Sequence, residues 1–365
     1  MGGTFGETIK MTIFGESHGE SVGLVIDGLP PGVELNMGMV ESEMKRRRPG
    51  KNLLSTQRQE TDSFVVQSGF FEGRTTGTPL CVIIPNRDSH SGDYALLQSS
   101  MRPGHADYAG RIRYNGYNDY RGGGHFSGRL TAPLVLMGAI AQQLLAVKSI
   151  ILGAHIAGVG EIKDQCFSPL GESRETLAAL KTMMVPVLDG EKGKLMEHCI
   201  LEARADGDSV GGIIECIITG LPAGLGNPFF DSVESRLSHA LFSIPAVKGV
   251  EFGDGFGFAA MKGSDANDEF YFEDDVVKTK TNHNGGINGG ITNGMPLLFK
   301  VALKPTSSIS KPQHTVNMDQ RENTTLEIKG RHDPCIVQRA VPVVEAVAAW
   351  TLLDVLMTTG KQVVW

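Results

Sequence analysis

The chain has 365 residues and a formal net charge of −7, which argues against general affinity for nucleic acid or acidic membranes and makes any anion site a local one. Its 46 glycines and 7% aromatic residues favour mixed helix and sheet with many tight turns over a helical bundle. Cys81, Cys166, Cys199, Cys216 and Cys335 are scattered without a Cys-x-x-Cys pair, which speaks against a disulfide framework or a zinc site.

From the N-terminus, Met1 to Thr12 shows no apolar run behind a basic start, and no segment approaches the ~20 apolar residues of a membrane span. A soluble, cytoplasmic protein is expected. Lys10 to Phe14 and Val22 to Leu29 read as strands around a Gly15-Glu16-Ser17-His18-Gly19 tip, closed by Pro30-Pro31-Gly32. Asn36 is a reasonable N-cap for a helix with Met39, Val40 and Met44 on one face; Lys45 to Arg48 then fall in its last turn before Pro49-Gly50. Ser63–Phe71 and Thr78–Pro85 read as strands. Asn86 to Gly124 has little periodicity, and a loop of that length usually carries function. Thr131 to Ile150 reads as a helix apolar over much of its circumference, hence buried. Met295 to Lys304 alternates as a strand, and Val344 to Met357 reads as a closing helix ended by Gly360.

Three blocks recur. Ser21-Val22-Gly23, Gly28-Leu29-Pro30 and Val40-Glu41-Ser42 return as Ser209-Val210-Gly211, Gly220-Leu221-Pro222 and Val233-Glu234-Ser235. Four extra residues separate the first two blocks of the second copy, an even number that a lengthened strand would absorb without changing face. With no linker in view, the expectation is one α+β domain spanning 1–365, built on an internal pseudo-twofold with halves at about 10–150 and 200–345.

Candidate chemistry sits in clusters outside the periodic apolar runs. His18 and His105, the latter in Arg102-Pro103-Gly104-His105-Ala106-Asp107, are the natural proton donors and acceptors near neutrality; Asp333, in Gly330-Arg331-His332-Asp333-Pro334, is a candidate base. Ser17 is discounted as a nucleophile, because adjacent side chains on an extended chain point to opposite faces. Arg46, Arg47 and Arg48 offer forked donors for carboxylate or phosphate. Arg121-Gly122-Gly123-Gly124-His125-Phe126-Ser127-Gly128-Arg129 leads glycine amides into a helix N-terminus, an anion cradle without the Gly-Lys-Ser/Thr of a P-loop. Asn282–Gly290 and Lys304-Pro305-Thr306-Ser307-Ser308 add a close backbone approach and a Lys-bearing, hydroxyl-rich turn. No His-Glu-x-x-His or comparable spacing suggests a metal. The residues alone describe an enzyme for a multiply anionic small molecule. They do not name its reaction.

The same clusters resemble the chorismate synthase family. Gly15–Gly19, Arg46-Arg47-Arg48-Pro49-Gly50, Arg102–Asp107, Tyr120–Gly124, Lys304–Ser308 and Gly330–Cys335 continuing to Arg339-Ala340 follow its pattern in order, from about Phe5 to about Ala348. The resemblance implies a β-α-β sandwich with helices between antiparallel sheets, a homotetramer, and a lyase that converts 5-enolpyruvylshikimate 3-phosphate to chorismate and phosphate with reduced FMN. It implies that His18 protonates the departing phosphate, that His105 sets the protonation of the reduced flavin, and that Asp333 with Ser17 relays the proton the substrate loses. Arg46, Arg47, Arg48, Arg129 and Arg331 would hold the substrate's anionic groups. His125, Phe126, Ser127, Pro245, Ala246, Gly289, Lys304, Pro305, Thr306, Ser307, Ser308 and Arg331 would hold FMN. Arg47 also matches a position linked in the family to NADP, but the usual partner arginine is Leu53 here. With no Gly-x-Gly-x-x-Gly after a strand in a βαβ unit, an external flavin reductase is expected in place of NADPH bound to this chain. His125-Phe126 stands where many members have Arg-Ser, which weakens a charge-assisted contact. The rival readings are a cofactor-free phosphate lyase and an RNA-binding protein using Arg46–Arg48 and the Arg-Gly-Gly run.

Overall fold

The computed structural model describes residues 2–49, 54–55, 60–87, 96–328 and 332–359. Its first sheet contains β1 (Thr4–Phe5), β2 (Lys10–Gly15), β3 (Ser21–Asp27), β4 (Val65–Ser68) and β5 (Leu80–Pro85), in the order β1-β2-β3-β5-β4. Helix α1 (Met37–Arg47) follows β3. A short α2 (Asp107–Arg113) lies in the long loop, and α3 (Thr131–Val147) follows that loop. The second sheet contains β6 (Ile151–Val159), β7 (Ile162–Lys163), β8 (Gly212–Thr219), β9 (Val247–Phe252) and β10 (Leu297–Leu303), in the order β7-β6-β8-β10-β9. Between β7 and β8 lie α4 (Arg174–Thr182) and α5 (Gly190–Ala205); α6 (Val233–Leu241) follows β8, and α7 (Val337–Thr358) closes the chain.

Both sheets are antiparallel. Alternation explains why they form: Val22, Leu24 and Ile26 of β3, Leu80, Val82 and Ile84 of β5, and Leu297, Phe299, Val301 and Leu303 of β10 are all buried. Helix α3 packs on β3 of one sheet and β6 of the other, and α7 packs on α1, α3, α6, β6 and β8, so the helical layer lies between the sheets. Helices α3 and α7 cross so closely that a methyl group on Gly138 would stand 2.1 Å from the Ala346 Cβ.

The connectivity repeats itself. Strand for strand, β2, β3, β4 and β5 correspond in chain order and sheet order to β6, β8, β9 and β10, with α1 and α3 corresponding to α6 and α7. Gly28 (φ 90°) and Gly220 (φ 84°) make the same close approach: a Cβ on the first would meet Thr8 O and Ile9 Cα, and on the second Ser149 O and Ile150 Cα. The second run of the pattern starts at Ile151, earlier than position 200, because α4 and α5 are an insertion between β7 and β8. The four extra residues do not simply lengthen a strand: β8 has 8 residues against 7 in β3, and Ser209–Gly211 precede it.

Two further differences from expectation have physical causes. Helix α7 starts at Val337 and carries Pro342 inside it; a reading that lets proline break a helix places the start too late. Arg121–Val147 and Val337–Thr358 contain stretches long and apolar enough to cross a membrane, although none was expected, but both are buried within this fold. Gly360 lies outside the described residues.

Where β6, β7 and β8 meet, His155 is enclosed by carboxylates. Its Nδ1 is 3.0 Å from Asp164 and its Nε2 2.9 Å from Glu215, which also accepts the Phe167 amide at 2.7 Å. Burial disfavours the imidazolium, but hydrogen bonds and charge from Asp164 and Glu215 outweigh it and raise the His155 pKa. A raised folded-state pKa contributes stability that is complete below the unfolded value, about 6.5, and is lost as pH rises through the folded one. The melting-temperature gap between the wild type and His155→Gln is therefore expected to be wider at pH 6 than at pH 9. A gap that is flat or widens with pH would overturn this.

Candidate active site

The β2–β3 tip is shaped by a set of local hydrogen bonds. Gly19 N donates to Glu16 O at 3.1 Å, Ser17 N donates to Gly124 O at 3.1 Å, and Asn86 Nδ2 donates to Glu16 O and Gly19 O at 2.9 and 2.8 Å. Ser17 and His18 are buried there. The glycine run comes to meet them. Gly122, Gly123 and Gly124 have φ of 57°, 85° and 52°, a region L-residues adopt only at a cost. A methyl group on Gly122 would stand 2.1 Å from His18 Cε1, and one on Gly123 would stand 3.2 Å from both Cε1 and Nε2 of His105. The two histidine rings therefore lie against successive glycines.

His105 is held from its other side. Its Nδ1 is 2.6 Å from Asp107 Oδ1, while Arg102 donates Nε to Asp107 Oδ2 and Nη2 to Asp107 Oδ1, both at 2.7 Å. Burial would raise the Asp107 pKa, but the hydrogen bonds and charges of Arg102 and His105 push it far below the carboxylate range. Arg102 Nη1 also donates to Ser308 Oγ at 3.2 Å, which joins this loop to the 304–308 turn. Ser307 Oγ donates to Gly104 O at 2.9 Å, and Lys304 Nζ reaches both Gly104 O and Ser307 Oγ. Burial, with the charge of Lys248, lowers the Lys304 pKa. Lys304 N donates to Ala246 O at 3.0 Å, so Pro245-Ala246 adjoins the same turn. Thr306 Oγ1 is buried without a hydrogen-bond partner.

The arginines are tied to carboxylates. Arg46 pairs with Glu43 at 2.6 Å and with the buried Glu345. Arg47 and Arg129 both pair with Asp62, and all three are buried. Burial would raise the Asp62 pKa, yet the two guanidinium groups lower it. Arg48 donates to Thr61 O at 2.7 Å. Asp333 accepts from Arg339 Nη1 at 2.6 Å, and Arg339 Nε donates to Arg47 O at 3.2 Å, so the 332–333 segment lies beside the arginine cluster. His125 Nδ1 is 2.9 Å from Gly15 O. The Phe126 ring packs on Gly110, where a methyl group would stand 2.6 Å from it, and lies 6.2 Å from the Tyr114 ring.

Ser17, His18, His105 and the 245–246 and 304–308 segments are thus linked through direct contacts, with Asp333 joined to the arginine cluster. Gly289 is not brought to them. It lies in the turn next to the α6 N-terminus, where Val233 N donates to Gly290 O at 3.0 Å, at the far end of β10 from Lys304. Arg331 and Leu53 lie outside the described residues. Among the described residues no group of His, Cys, Asp and Glu is arranged to hold a metal. Sequence reasoning gave no role to Asp107 or Asp62. Asp107 sits two residues from His105 in a motif already singled out, but Asp62 has no signal, being 15 residues from Arg47 and 67 from Arg129.

Two histidines on a positive-φ glycine run, one beside a buried carboxylate, next to a Lys- and hydroxyl-bearing turn, bring together the residue types of acid–base chemistry on a small anionic molecule. A chorismate synthase family profile matches residues 9–357. The chain is 45% identical over 360 residues to the chorismate synthase of Dehalococcoides mccartyi, covering 99% of this chain and 98% of that one. It is 47% identical over 352 residues to the chorismate synthase of Thermococcus gammatolerans, covering 96% and 97%. A crystal structure of a chorismate synthase superposes with a TM-score of 0.77 at 26% identity, over 98% of this chain and 94% of that one. The chain belongs to the chorismate synthase family and is an enzyme of the lyase class.

Proposed function

We propose that this chain converts 5-enolpyruvylshikimate 3-phosphate to chorismate and phosphate by anti-1,4-elimination, with reduced FMN as an obligatory cofactor. The observation that carries the proposal is the seating of His18 and His105 on Gly122 and Gly123, beside the Lys304–Ser308 turn. His18 donates a proton to the departing phosphate, which gains charge as its C–O bond breaks. A positioned donor is worth roughly 10²–10⁴ in rate. Arg47 and Arg129, which converge on one carboxylate at Asp62, would hold the substrate's anionic groups with Arg48 and Arg331. Arg46 is committed to Glu43 and Glu345, so its part is to fix α1 against α7. Asp333, with Ser17, takes up the proton the substrate loses.

The residues fit a flavin phosphate cofactor. Thr306 Oγ1 is a buried hydroxyl with no partner, and Lys304, Ser307 and Ser308 converge next to Gly104. These residues, with Pro305, Ala246, Pro245 and the 125–127 backbone, would hold it, and His105 would maintain its protonation state. Reduced FMN, when bound, supplies electron density to the breaking C–O bond with no net redox change. Gly289 lies in the hairpin turn beyond the Leu297 end of β10, and the six residue steps from there to Leu303, beside Lys304, span about 20 Å. Its contact with FMN would be to that of a neighbouring copy. A homotetramer accords with this, as do the exposed Phe229, Phe230, Phe256, Phe270 and Phe272. We place the enzyme in the cytoplasm, with its flavin reduced by an external reductase rather than by NADPH on this chain.

Anaerobic release of chorismate and phosphate, with reduced, oxidised or no FMN, tests the reading. Product with reduced FMN alone is expected, with kcat about 10²–10⁴-fold lower in His18→Gln and His105→Gln. Product in every condition would select a cofactor-free lyase, and product in none would overturn the assignment.

A further inference from the structure

Asp107 takes no part in the mechanism above, yet it is the group His105 is built against. We propose that Asp107, fixed by Arg102, is a positioning residue that holds His105 in the Nδ1–H tautomer and so presents an unprotonated Nε2 to the site. The assignment rests on the catalytic reading of His105.

The geometry leaves His105 Nδ1 one consistent role. It is 2.6 Å from Asp107 Oδ1 and 3.0 Å from Arg102 Nη2. An unprotonated Nδ1 would accept from Arg102 but would oppose its lone pair to a carboxylate oxygen at the shorter distance. A protonated Nδ1 donates to Oδ1, and Arg102 Nη2 donates to the same oxygen at 2.7 Å, so both donors share one anionic acceptor. The carboxylate is itself over-determined. Arg102 grips both oxygens, and Arg102 N donates to Oδ2 at 3.0 Å. Asp107 is anionic, because Arg102 donates to both of its oxygens and outweighs the effect of burial. Among the described residues, Lys304 donates to Gly104 O and His332 lies within electrostatic reach of Arg102. Neither is hydrogen-bonded to Nδ1. On the far side of the ring, Nε2 faces Gly123. A buried carboxylate fixing the tautomer of a working histidine is the logic of the hydrolase triad, reached here through a two-residue step in one loop.

The test reads the tautomer directly, in the full chain labelled with ¹⁵N-histidine, by long-range proton–nitrogen spectra at pH 9, with His105 assigned from its loss in His105→Gln. In the wild type, Nδ1–H is expected as the major neutral form. Asp107→Asn keeps the shape but turns an amide N–H₂ or a weaker acceptor toward Nδ1, so Nε2–H is expected to dominate, with kcat reduced about 10²–10⁴-fold and KM little changed. Asp107→Glu should retain Nδ1–H and recover part of the rate. Nε2–H as the major form in the wild type, or Asp107→Asn with unaltered tautomer or unaltered kcat, would overturn the proposal. If Asp107→Asn does not fold, the wild-type and Asp107→Glu tautomers decide the matter. The spectra need no turnover, so a chain that makes no chorismate at all would refute the functional reading separately from the tautomer.

Discussion

Gly122→Ala is expected to remove nearly all activity, lowering kcat by about 10²–10⁴-fold, the range that loss of a positioned proton donor costs. Two independent effects act at this position. Gly122 has φ 57°, where a Cβ costs roughly 1–2 kcal/mol through contact with the following carbonyl. The new methyl group would also stand 2.1 Å from His18 Cε1, 2.2 Å from His18 Nδ1 and 3.2 Å from Ser17 Oγ. A separation near 2 Å cannot be absorbed by a small adjustment, and His18 is buried, so its ring must leave its place or the loop must rise. Gly128→Ala is the matching control, because nothing beyond its own local backbone lies within 4 Å of a Cβ there among the described residues and its φ is not positive. It should leave kcat within a factor of about two of wild type. Steady-state kinetics on both variants, with thermal melts to show that each is folded, make the comparison. A folded Gly122→Ala enzyme with wild-type kcat would mean that His18 does not work from the position it occupies here.

How much of this was legible in the sequence depends on the range of the signal. Val22, Leu24 and Ile26, or the apolar circumference of α3, encode their burial locally through a period of two or a buried helical run. The recurring Gly-Leu-Pro blocks pointed to the duplication because Gly28 and Gly220 each meet a backbone segment that admits no side chain. The site was legible as clusters of residue types but not as contacts. That His18 and His105 rest on neighbouring glycines depends on three successive positive-φ residues, which a run of glycines permits but does not dictate. Helix α2 was hidden inside a long loop because seven residues carry too little periodicity to register. The commitment of Arg46 to Glu345, 299 residues away, has no sequence signature at all. A cluster of three arginines looks like a solvated or ligand-binding edge until the fold supplies its carboxylates.

Asp62→Asn should cost the most stability of any change near the site. Asp62 is the shared counter-charge of Arg47 and Arg129, and all three side chains are within 3% of complete burial. Removing one partner from a buried ionic group leaves the others under-compensated, at about 3–5 kcal/mol; here Arg47 would lose its carboxylate and Arg129 would keep only Glu60, at 3.8 Å. Differential scanning calorimetry should therefore show a fall in Tm of roughly 4–7 °C. The pH dependence has a definite sign. Because Arg47 and Arg129 hold the Asp62 pKa below its usual range against the opposing effect of burial, its contribution is present above the unfolded value, about 3.9, and is lost as pH falls through the folded one. The Tm gap between wild type and Asp62→Asn should be level from pH 5 to 8 and close in strong acid. If Arg47 and Arg129 hold the substrate's anionic groups, a supplied anion should replace the missing carboxylate. Millimolar inorganic phosphate should then raise the Tm of Asp62→Asn more than that of the wild type, by the mass-action stabilisation of any ligand that binds the folded state alone. A variant as stable as wild type would show that the two arginines do not depend on the charge of Asp62. A destabilised variant indifferent to phosphate would show that they hold this part of the fold together without offering a place for an anion.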